Sequence, residues 1–177
     1  MYAFSDYDDE KCLDLSVTGE EYAELINTCF RYSTHFSFNI GFLCRGGIPV
    51  DIPQPYKIYK KLDHFAICDD IAVLPCTETT REYLLNRTND LFEWIDWYNN
   101  PEDLTFYRQD GSMFFWSLIH EGECCLIDRP EEDVSAIVKN PYWYKKTPED
   151  GFIGREIGYI GPNGIAIDAF RLMLPDE

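Results

Sequence analysis

Apolar residues between positions 104 and 128 fall into three short runs separated by turn residues. Asp110 and Gly111 supply a pair that tolerates positive φ in a tight hairpin turn, and Glu121 and Gly122 mark a second turn. The pattern predicts a three-stranded antiparallel meander. Strict alternation in the middle run puts Phe114, Trp116 and Leu118 on one face and Met113, Phe115 and Ile119 on the other. A strand apolar on both faces must be covered on both, so residues 112–120 are expected at the centre of a sheet.

Helical spacing dominates earlier in the chain. Tyr22, Leu25, Ile26, Cys29 and Phe30 form one stripe, with Glu20, Glu24, Asn27 and Arg31 opposite. Thr18 and Glu21 stand at capping-box spacing before it. Between 35 and 44, Phe36, Phe38, Ile40, Phe42 and Cys44 alternate with more polar residues, a strand expected near a sheet edge or over solvent. Glycines and prolines at 45–56 predict a loop, either a binding loop or a plain surface crossover. One or two short strands follow, around 64–68 and 71–74, joined at Asp69 and Asp70.

A second helix is expected from about 79 to 97, with Thr79 and Glu82 at capping-box spacing and a break near Asn89 and Asp90 that can split it. Pro130, followed by Glu131, Glu132 and Asp133, suits the first turn of a short third helix with Val134, Ile137 and Val138 inward. Residues 161–164 join two β-like runs, 155–160 and 165–173, as a hairpin. The expected fold is α+β: residues 1–177 form one domain, a mainly antiparallel sheet centred on 112–120 with two or three helices packed on it.

Charge narrows the functional classes. With 32 acidic and 15 basic side chains the net charge is −17, which argues against direct binding of nucleic acid or an anionic membrane. The start of the chain is acidic and lacks a secretory pattern, and no apolar run approaches the ~20 residues of a membrane span. A cytoplasmic location is expected. Seven scattered cysteines without a paired spacing fit it, and no disulfide is expected.

Motifs for chemistry are sparse. A zinc site needs about four compactly spaced ligands; the run from His120 to Cys125 is the one candidate cluster, and no second pair stands at a suitable spacing, so packed free thiols are expected. No phosphate loop, dinucleotide fingerprint or nucleophile elbow is present, so neither catalytic residues nor a metal or cofactor is assigned. The distinctive segment is 89–103. In helical form it sets Asp90, Glu93, Trp94 and Trp97 along one side, with Asp96 nearby. Aromatics rimmed by carboxylates suit an interface for Arg and Lys side chains. The alternative makes both tryptophans core and the carboxylates a solvated face.

In size, acidity and lack of a catalytic signature, the chain resembles immunity proteins that neutralise bacterial toxins and phage-encoded inhibitors of bacterial defence systems. The resemblance implies an inhibitory binding protein that blocks a basic functional surface of a protein partner, a toxin or defence enzyme. Asp90, Glu93, Trp94, Asp96 and Trp97 are the candidate partner-binding residues. The alternative is a small-molecule or nucleotide binder, or an enzyme, with an aromatic-lined pocket.

Overall fold

The computed structural model describes residues 1–5, 7–8, 13–14, 16–40, 51–54, 57–62, 67–94, 100–145, 158–160 and 166–167. The far end of the 35–44 run, most of the 45–56 loop and the turn at 161–164 lie outside them.

The meander forms as expected from its turns. β7 (Glu102–Tyr107), β8 (Met113–Leu118) and β9 (Glu123–Leu126) pair antiparallel in sequence. They sit inside a larger sheet with β1 (Tyr2–Ser5), β4 (His35–Asn39), β5 (Lys57–Leu62), β6 (Ile67–Pro75), β10 (Tyr144–Lys145), β11 (Gly158–Ile160) and β12 (Ala166–Ile167). The order is β10-β1-β9-β8-β7-β4-β6-β5-β11-β12, with each neighbouring pair antiparallel. A separate two-stranded ladder joins β2 (Tyr7–Asp8) and β3 (Leu13–Asp14).

The helices α1 (Glu20–Tyr32), α2 (Glu78–Arg87) and α3 (Ser135–Val138) share one core with the sheet. Phe30 of α1 meets Phe36 and Phe106 at ring-centroid distances of 5.8 and 5.7 Å, and Tyr32 meets Phe114 at 5.4 Å. α1 therefore crosses β4, β7 and β8, and the architecture is a single-domain α+β fold. Among the described residues no helix is long and apolar enough to cross a membrane.

Strict alternation fails in β8. The register passes from Phe106 opposite Phe115 to Tyr107 opposite Met113, leaving Phe114 as an extra residue. A bulge of this kind turns two successive side chains toward one face. Phe114 and Phe115 both join the helix-side core, whereas Met113, Trp116 and Leu118 pack with Ala3 and Cys125 in a second cluster. The Phe114 ring gains Arg108 as a neighbour, with the guanidinium carbon 5.1 Å from its centroid.

Strand β4 is interior, not an edge. It lies between β6 and β7, and its polar residues Ser37 and Asn39 are buried. Hydrogen bonding makes that tolerable: Ser37 Oγ and Tyr107 Oη are 3.1 Å apart. Asp69 and Asp70, expected as a junction, lie within β6, where the register sets them opposite Lys61 and Lys60 of β5.

Helix ends differ from the expected caps for identifiable reasons. Gly19 precedes α1 at φ 59°, and Thr18 forms a β-bridge with Asp90, so no side chain caps the helix. In α2 the capping box uses Thr77 and Thr80, two residues before the expected pair: Thr80 N donates to Thr77 Oγ1 at 3.3 Å, and Thr77 N to Thr80 Oγ1 at 2.9 Å. Thr77→Ala is expected to cost about 1 kcal/mol, measured by urea melts; an unchanged midpoint would show the cap to be dispensable. Pro130 stands in a turn, because Glu132 is drawn to Arg108 and Asp133 bonds Ser135 N at 3.0 Å, delaying α3 to Ser135.

Candidate functional site

The acidic–aromatic segment does not continue α2. Thr88 is extended, at φ −151°, and the Asp90 carboxylate accepts from Phe92 N at 2.9 Å, capping a 3-10 turn over Leu91–Glu93. Asp and Thr side chains compete with the helix for backbone groups in this way. The break expected near Asn89 and Asp90 is present: α2 ends at Arg87 and gives way to an extended residue and a short turn as far as Trp94. The side-by-side arrangement of Asp90, Glu93, Trp94 and Trp97 required a helix through them.

Trp94 is fully buried. Its ring stacks on Phe38 at 6.1 Å and tilts against Tyr83 at 6.3 Å. The indole Nε1 donates to Tyr22 Oη at 2.9 Å, and Tyr22 Oη donates to the Leu84 carbonyl at 3.1 Å. Burial pushes the Tyr22 phenol well above its ordinary range. The tryptophan expected as a surface anchor therefore ties α1, α2 and β4 together inside the core. Asp96 and Trp97 lie outside the described residues.

Asp90 and Glu93 are half-buried and bonded within the chain. Ser16 Oγ donates to Asp90, and Thr88 Oγ1 to Glu93. Asn100 Nδ2 donates to the Glu93 carbonyl at 2.7 Å, and Arg87 Nε donates to Asn100 Oδ1 at 2.7 Å. Gly19 N donates to Asn89 O at 2.8 Å, which brings this turn against the start of α1 and its Glu20 and Glu21. The turn that carries Asp90 and Glu93 thus lies beside the start of α1, whose first turn carries Glu20 and Glu21. No periodicity along the chain links the two acidic pairs; the Thr18–Asp90 bridge does.

A second polar group lies at the end of the sheet where β7 begins. Asn39, Glu102 and Asp103 are buried there, with Asn39 in register with Glu102. Asp103 holds a left-handed conformation at φ 58°, and its carboxylate accepts from Ile119 N at 3.0 Å. His35 Nδ1 lies 3.2 Å from Thr34 Oγ1, and Ser37 engages Tyr107. These contacts organise strand ends.

Cys124 and Cys125 are buried in separate core clusters, so the short zinc-like run is divided between the two faces of the sheet. Among the described residues no group of three or more His, Cys, Asp or Glu side chains is arranged to hold a metal ion. Cys29, Cys76, Cys124 and Cys125 are free thiols. Burial pushes the first three up, away from the reactive thiolate. Cys29 and Cys124 are accordingly expected to react with a thiol reagent only when the protein opens, at a rate that rises with urea. Prompt labelling of both without denaturant would contradict their burial.

A shallow cleft lies along β1 and β9, lined by Ala3, Phe4, Trp116, Glu123, Cys124, Cys125 and Tyr144, and it encloses no ligand-sized space. Pockets for small ligands are typically a few hundred Å³ or more. No protein-family model, curated protein or solved structure matches the chain.

Proposed function

We propose that this chain is an acidic inhibitory binding protein, of the immunity or anti-defence type, that covers a basic functional surface of a protein partner such as a toxin or defence enzyme. The observation that carries the reading is the net charge of −17, and the Thr18–Asp90 bridge sets the turn bearing Asp90 and Glu93 beside the first turn of α1 with its Glu20 and Glu21. With Trp94 in the core, the reading moves from an aromatic anchor to electrostatic complementarity. Glu20 is exposed, and Glu21, Asp90 and Glu93 are partly so. Carboxylates at such a rim mainly raise the association rate with a basic partner and set its salt dependence.

The test begins with affinity capture and cross-linking from the native host at low ionic strength, beside a control protein of equal negative charge. A specific partner should be retained by this chain and not by the control. Its association rate should fall as salt rises from about 50 to 200 mM, since the Debye length shortens to about 8 Å at physiological salt. Glu20→Gln should slow association with little effect on dissociation. Retention by both proteins alike, or an association rate indifferent to salt, would remove the reading.

A further inference from the structure

We draw no further inference here: the strongest candidate, the buried polar cluster of Asn39, Glu102 and Asp103 at the sheet end where β7 begins, is two carboxylates beside an amide with no second observation among the described residues that points to a ligand.

Discussion

Arg108→Ala is expected to destabilise the protein by about 3–5 kcal/mol, the cost typical of leaving one partner of a buried ion pair uncompensated. Both side chains of the pair are nearly inaccessible, Arg108 and Glu132 each at 6% relative exposure. Nε and an Nη of Arg108 donate to the two Glu132 oxygens, both at 2.6 Å, in the fork geometry that suits guanidinium and carboxylate. The remaining guanidinium hydrogens reach Ser112 Oγ and the carbonyls of Met113 and Ile127. One residue thereby joins the end of β7, the start of β8, the exit of β9 and the loop before α3. Removing it leaves Glu132 as a buried charge and two carbonyls short of a donor. Glu132→Gln should also destabilise, by leaving the cation with a neutral partner.

The double variant Arg108→Met with Glu132→Leu should recover much of the loss, because desolvation offsets much of the attraction in a buried pair. Urea melts of the single and double variants measure the coupling. A single-variant loss below about 1 kcal/mol would show that the pair is not buried as described.

The same pair sets a pH dependence. Burial raises the Glu132 carboxyl, but hydrogen bonds from Arg108 and the Arg129 amide, with their charges, leave it below its usual range. A carboxyl held lower in the folded state than in the unfolded state contributes stability that is fully present above its unfolded pKa. That contribution is lost as the pH falls through the folded value. Asp110 acts in the same direction, held low by Ser112 and Arg129. Acid melts should therefore show stability falling below the ordinary carboxylate range, with a shallower fall in Glu132→Gln.

Trp94→Ala is expected to cost about 3–5 kcal/mol, the range for deleting a large buried aromatic. Two losses combine: the ring's packing against Phe38 and Tyr83, and the indole donor to Tyr22. Trp94→Phe should cost less, because it retains most of the volume and forfeits mainly the hydrogen bond, worth about 1 kcal/mol. The pair of variants separates a core role from an interface role. A core Trp94 changes the urea midpoint in the isolated protein. An interface anchor would leave that midpoint unchanged and accelerate dissociation from a partner instead. A Trp94→Ala protein as stable as the parent would contradict its burial.

Much of the architecture was legible along the chain because its signals are local. Asp110 and Gly111 define a turn through backbone preference alone, and the double-sided apolar run at 113–118 requires cover on both faces. The stripe from Tyr22 to Phe30 needs only helical periodicity to be read, and it became the buried side of α1. The two C-terminal runs pair antiparallel as β11 and β12. Net charge and the lack of catalytic motifs are likewise properties of the sequence alone.

The tertiary structure decided what depends on partners far apart in sequence. Alternation could not assign Phe114 and Phe115 to one face, because the bulge exists only in the pairing of β8 with β7. The polar face of β4 suggested an edge, yet Ser37 finds Tyr107 70 residues away, and the bond lets the strand lie inside the sheet. Residues 89–94 do not continue α2, because Ser16 and Thr18, over 70 residues earlier, engage Asp90 and hold the chain in a turn. The sequence leaves Trp94 open to both a surface and a core reading. It is core because Tyr22, 72 residues before it, supplies the acceptor that lets its indole nitrogen be buried.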